Sequence, residues 1–181
     1  MILVIKMSKN EGKIFEDDIK NSVPSYAKLL RLPDPPHSFT QRSDTKFSKK
    51  NPYDFECFDS IRRNLYCWEL KSTAQKYMGF QTDKYDNREV LIKWHQIDGL
   101  TKASEYENVI AGFLLNYRLD NGEQLLYFLN IEDFNKMIKS INKKSFNIID
   151  AVLYGAVKIN GNKKRTRWNW DLDSFLESQR T

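Results

Sequence analysis

The chain has 181 residues, 40% of them hydrophobic, enough for one ordinary core, and nothing in its composition marks a second domain. Lys and Arg outnumber Asp and Glu by 29 to 24, and the resulting net charge of +5 favours a polyanionic partner only modestly. The apolar start Ile2 to Ile5 is too short for a signal peptide or membrane span, so a cytoplasmic protein is expected, with Cys57 and Cys67 as core thiols rather than a zinc site.

From Glu11 to about Ser22 the positions of Ile14, Phe15 and Ile19 predict a helix, ended by Val23-Pro24. Tyr26 to Leu32 reads as a strand. The stretch 34–51 is polar, contains Pro35 and Pro36, and has no periodicity beyond Phe39 and Phe47, so it reads as an excursion from the core. Tyr53 to Asp59 and Asn64 to Ser72 are rich in strand-prone aromatics and read as the arms of a hairpin turned near Ile61, Arg62 and Arg63. Phe80 to Asn87 reads as a loop, and Val90 to Ser104 as a helix with Ile92, Gln96 and Leu100 on related faces. Val109 to Leu119 and Gln124 to Asn130 are strands joined at Asp120-Asn121-Gly122, a strong hairpin signal. Ile131 to Ile141 is a helix with acidic Glu132 and Asp133 first and Lys139 last, as the helix dipole favours. Beyond Phe146 the run VLYGAVKI is either a strand or a buried segment, and Asp171 to Ser178 reads as a short amphipathic helix. These elements describe one α/β domain over 1–181, with a mixed sheet of at least five strands.

Chemistry enters at the hairpin. Side chains two apart on a strand share a face, so Leu65, Cys67, Glu69 and Lys71 point one way and Tyr66, Trp68 and Leu70 the other. If Asp54 on the first arm faces Glu69, the two are directly opposed or offset by an even number, which puts Cys57 and Cys67 on opposite faces and argues against a disulfide. Two such carboxylates suit Mg²⁺ (or Mn²⁺), which takes a couple of carboxylates, several waters and a substrate phosphate. Lys71 would then stabilise charge at the phosphorus or orient the attacking water. The plainer alternative is a Glu69–Lys71 ion pair on a solvated face, common and nearly neutral in energy.

With these residues stand GKIFEDDIKNSVPSYAKLLRLPDPP at the start, Trp94-His95-Gln96-Ile97, and IAGFLLNYRL followed by LLYFLNIEDFNKMI. In this order they resemble the RecU-type Holliday junction resolvases of the PD-(D/E)xK nuclease superfamily, over most of the chain. The resemblance implies a restriction-endonuclease-like fold in which Asp54 and Glu69 bind metal, Lys71 is catalytic and Gln96 supports the site from a helix. It also implies that Glu16 is an additional acid in water-mediated contact with the metal, that 34–51 is a stalk, and that a twofold homodimer cuts four-way DNA junctions. Two departures stand out: the interval from Asp54 to Glu69 is slightly longer than the family's, and the stretch 34–51 is short for the stalk.

Basic residues gather at Arg42, Lys46, Lys49 and Lys50, at Arg62 and Arg63, at Lys143 and Lys144, and at Lys163, Lys164, Arg165 and Arg167. Apart from Lys143 and Lys144, these are candidate DNA contacts, against the alternative of solvated turns. Trp168 and Trp170 alternate with Arg167 and Asn169 and read as core or dimer-interface residues, stacking of bases being the alternative. His95 is assigned support at most, because only His37 accompanies it in the chain. Two other functions stay open: a nuclease of the same fold acting on flaps or duplex DNA, and a noncatalytic DNA-binding recombination-accessory protein.

Overall fold

A computed structural model describes residues 10–33 and 50–179. Its elements in chain order are α1 (Glu11–Ser22), β1 (Ala27–Arg31), β2 (Phe55–Asp59), β3 (Asn64–Thr73), β4 (Met78–Gly79), α2 (Trp94–Ala103), β5 (Val109–Arg118), β6 (Gln124–Asn130), α3 (Ile131–Ser140), β7 (Ser145–Phe146), α4 (Ile148–Leu153), β8 (Val157–Ile159), β9 (Gly161–Lys164), β10 (Arg167–Trp170) and α5 (Leu172–Ser178). Six strands form the central sheet in the order β1-β2-β3-β5-β6-β8, with β3 and β5 parallel and the other neighbours antiparallel. The expected α/β class, with a mixed central sheet flanked by helices, is therefore found.

Alternation along β3 and β5 divides the core into two layers. Cys67, Phe113 and Leu115 face α2, α3 and α4, where Ile97, Leu100, Phe134 and Met137 cover them. Tyr66, Trp68 and Leu114 face the other way, against Phe15 and Ile19 of α1 and Phe175 and Leu176 of α5. Each of these large side chains contributes on the order of 2 kcal/mol through removal from water. Cys57 and Cys67 lie in opposite layers, buried and unbridged, as the strand period requires.

Local chemistry sets the ends of the elements. The Asn10 side chain accepts the Lys13 N–H at 3.1 Å and caps α1. On the inner side of α1, buried Asp18 accepts from Arg167 Nε at 2.6 Å, which ties the helix to β10. Between β2 and β3, Asp59 Oδ1 accepts the backbone N–H groups of Ile61 and Arg62 at 2.9 and 3.0 Å, and Arg63 closes the turn at φ 60°.

Two sequence expectations need correction. The helix expected from Val90 begins four residues later, at Trp94. Ile92 is not on its face but in extended backbone bridging Phe80, its N–H bonded to Gly79 O at 3.0 Å, and Lys93 N–H is capped by Gln96 Oε1 at 2.9 Å. The segment VLYGAVKI is neither wholly strand nor wholly buried. Its first residues end α4, Gly155 turns the chain at φ 97°, and Val157 to Ile159 make a sheet strand. Among the described residues no helix is long and apolar enough to cross a membrane.

Candidate active site

The β2–β3 register pairs Phe55 with Trp68, so the next step along the hairpin sets Asp54 against Glu69. Asp54 is anchored on three sides: its N–H donates to Trp68 O at 3.1 Å, its carbonyl accepts Leu32 N–H at 2.9 Å, and its Oδ2 accepts Leu70 N–H at 2.9 Å. Glu69 Oε1 accepts from Lys71 Nζ at 2.8 Å and from the Gln96 side-chain amide. Gln96 Oε1 is already engaged in capping α2, so its NH₂ group is the end left for Glu69. One side chain thus starts the helix and holds the carboxylate.

The Glu69–Lys71 pair does not lie on a solvated face. Glu69 is 2% exposed, and the Lys71 side chain only 11%. Burial is the main cause of a carboxyl pKa pushed up to about 7 for Glu69; Lys71 pulls against it and Asp54 adds to it. Burial also raises Asp54, opposed by the Leu70 N–H and by Lys71 and reinforced by Glu16. Burial opposes the ionisation of both carboxyls, and a divalent cation placed between them would favour both charges. Among the described residues no third His, Cys, Asp or Glu joins them in a metal-sized group. Two carboxylates with room for waters and a phosphate are the donor set Mg²⁺ accepts, so the residues fit the ion.

The acids open into a cleft of about 200 Å³ lined by Lys50, Asn51, Tyr53, Asp54, Glu69, His95 and Gln96. No family model matches the chain. The SPbeta prophage-derived uncharacterized protein YotM of Bacillus subtilis (strain 168) is 35% identical over 128 residues, 70% of this chain; the match spans 59% of that protein's length. A solved structure of Hjc, a Holliday junction resolvase from Archaeoglobus fulgidus, is similar at a TM-score of 0.47 and 10% identity, over 81% of this chain and 93% of that one.

The remaining sequence candidates distribute unevenly. Glu16 on α1 is close enough to influence Asp54, but its carboxylate accepts from Arg31 Nε at 3.0 Å. Arg42, Lys46 and Lys49 lie outside the described residues. Lys50 is exposed at the cleft. Arg62 donates from Nη1 to buried Asp59 Oδ2 at 2.9 Å, at the far end of the hairpin from Asp54, while Arg63 is exposed in the same turn. Arg167 is committed to Asp18 and to Ile14 O. Lys163, Lys164 and Arg165 are exposed on the β9–β10 turn. Trp170 is buried and Trp168 half-buried, their rings stacked at 5.1 Å, which fits the core reading.

Two residues that sequence reasoning passes over shape the cleft. A Cβ on Gly99 would come within 2.4 Å of Pro52 Cβ and 2.7 Å of Pro52 O, so only glycine lets α2 approach the segment leading to Asp54. His95 and Gln96 precede Gly99 by four and three residues, on the same helix face, and are carried to the acids by that contact. A glycine inside a helical pattern is the available signal.

Proposed function

We propose that this protein is a divalent-metal-dependent DNA endonuclease of the RecU type that hydrolyses phosphodiesters at branched DNA, with four-way junctions as the substrate. The reading rests on one observation: Asp54, Glu69 and Gln96, from three stretches of the sequence, line a single cleft, with Lys71 ion-paired to Glu69 beside it. Asp54 and Glu69 would hold Mg²⁺ or Mn²⁺. When bound, the ion supplies Lewis-acid polarisation of the phosphate and lowers the pKa of water.

The chain's own groups do the rest. Lys71, held over Glu69, puts a fixed positive charge where the phosphorane gathers negative charge. Gln96 keeps Glu69 oriented through its amide. Glu16, with Arg31 on it, sets the field beside Asp54. Lys50 at the cleft and the β9–β10 turn offer contacts to the DNA backbone. A twofold homodimer would match the symmetry of a four-way junction, each protomer cutting one strand.

The test incubates labelled four-way junction, flap and linear duplex with the protein and Mg²⁺ or Mn²⁺, with the E69Q protein alongside. Symmetric nicks in the junction, abolished in E69Q and on removing the metal with EDTA, are expected. Equal rates on all three DNAs would replace the junction by a general DNA substrate, and biological activity unchanged by D54N or K71A would leave a noncatalytic DNA-binding protein. Light scattering should return a dimer; a monomer even on junction DNA would remove the twofold part.

A further inference from the structure

His95 occupies the second position of α2 and lines the same cleft as Asp54 and Glu69, together with Lys50, Asn51 and Tyr53. Asn51 Nδ2 donates to Pro33 O at 2.8 Å, Tyr53 Oη donates to Glu56 at 3.0 Å, and Pro52 abuts Gly99. The segment across the cleft from α2 is therefore held by the side chains of Asn51 and Tyr53 and by the approach of Pro52 to Gly99. Among the described residues no hydrogen bond satisfies either ring nitrogen. A half-buried imidazole lining a polar cleft, with hydrogen-bonding capacity that no protein group takes up, is placed to bond a ligand that enters the cleft.

We propose that His95 is a substrate-contacting residue whose ring N–H donates a hydrogen bond to a backbone phosphate oxygen of the DNA strand lying in the cleft. The inference rests on the nuclease reading only for the identity of the ligand. Burial first, and then the charges of Lys50, Lys71 and Lys93, hold the imidazole pKa below its usual value, so the ring is neutral at physiological pH. A neutral ring provides one donor and no net charge. Its contact therefore adds geometry to a phosphate whose charge Lys50 and Lys71 already meet, and it leaves the salt dependence of binding unchanged. No proton moves in this role.

The experiment measures binding without cleavage, in EDTA, of a labelled four-way junction and a short linear duplex to E69Q protein carrying H95A, H95L or H95Q. H95Q keeps an N–H donor at similar reach, whereas H95L fills the space without one. Removing one hydrogen bond to a charged oxygen lowers affinity about tenfold in H95A and H95L, while H95Q stays within about threefold of its parent. Slopes of affinity against salt should be the same for all four proteins. The proposal is overturned if H95L binds as tightly as the parent, or if H95Q is as weak as H95L although both melt at the parental temperature. The two readings fail separately. Wild-type protein that cuts no DNA, combined with weakened binding by H95L, would remove the nuclease and leave the phosphate contact; wild-type cleavage with parental binding by H95L would do the reverse.

Discussion

Glu69 sits where burial and an opposing carboxyl both work against its charge, and this has a consequence for stability that needs no substrate to measure. Its ordinary pKa is 4.5 and its value in the fold about 7, so between those pH values the folded chain keeps a proton that the unfolded chain has released. Proton binding by the folded state favours folding at low pH. The contribution of Glu69 to stability is therefore greatest below 4.5, falls as pH rises toward 7, and is level above it, the decrease being on the order of 3 kcal/mol for a group this buried. In E69Q that proton is absent from the balance. Urea denaturation at pH 5 and pH 8 should show wild type losing more stability than E69Q over the interval, and equal decreases would mean that Glu69 ionises normally in the fold. Mg²⁺ should reverse part of the penalty, because a cation favours the ionised pair. Added Mg²⁺ is expected to raise the melting temperature of wild type more at pH 8 than at pH 6, and to leave D54N and E69Q unmoved at both.

At the scale of elements, the site is a junction of three pieces: the β2–β3 hairpin, helix α2 and the segment entering β2. Replacing Gly99 with Ala adds a methyl that meets Pro52 side chain and backbone at 2.4 to 2.7 Å, so the helix must move. Ala in a helix interior is worth up to about 1 kcal/mol over Gly. Overpacking against backbone costs more, typically about 1–3 kcal/mol, so G99A should be mildly destabilised in urea. Because Gln96 and His95 ride on the same turn, nuclease activity should fall by more than the stability change explains; activity at the wild-type level would show that α2 can shift without disturbing the acids. A second joint, Arg167 to Asp18, holds α1 against β10. Asp18 is buried although Arg167 is partly exposed, so R167A leaves a buried carboxyl without its partner and should lose about 1–2 kcal/mol in the same assay; an unchanged midpoint would return Arg167 to the DNA-contact group. The hairpin, its two faces and the opposition of Asp54 to Glu69 are legible in the sequence because a period of two leaves few choices once the turn is placed. The start of α2 is not, because Ile92 fits either a helical face or an extended bridge and Phe80, twelve residues earlier, decides. Gly99 and the commitment of Arg167 are illegible for the same reason: each depends on a partner brought near by folding. Arg62 pairs with Asp59 only three residues away, but basic residues that anchor carboxylates look in sequence like those that meet phosphates.

For the whole molecule the question is where a long polyanion would run. Glu69 is level with Phe113 across the parallel β3–β5 pair, and both strands run on toward the β5–β6 turn. There Lys163 Nζ donates to Gly122 O at 3.2 Å, which brings the basic β9–β10 turn to that end of the sheet. From Phe113 to the turn is about six residues, or roughly 20 Å at the rise of a strand, close to six nucleotides along one DNA strand. A DNA strand that entered the cleft at Lys50 and followed β5 would meet Lys163, Lys164 and Arg165 at the turn. The turn residues can be removed with little effect on the fold, since all three are exposed and Lys163 bonds only to a carbonyl that water can serve. Removing one side chain that neutralises a phosphate lowers the slope of log affinity against log salt by about 0.9. The K163A/K164A/R165A protein should therefore melt at the wild-type temperature and bind junction DNA with a slope shallower by about 2 to 3. R167A, two residues further on, should give the opposite pattern, a lower melting temperature with the slope retained. If the triple variant keeps the full slope, the DNA does not extend to this end of the sheet, and Lys50 is the described basic residue left to meet it at the cleft.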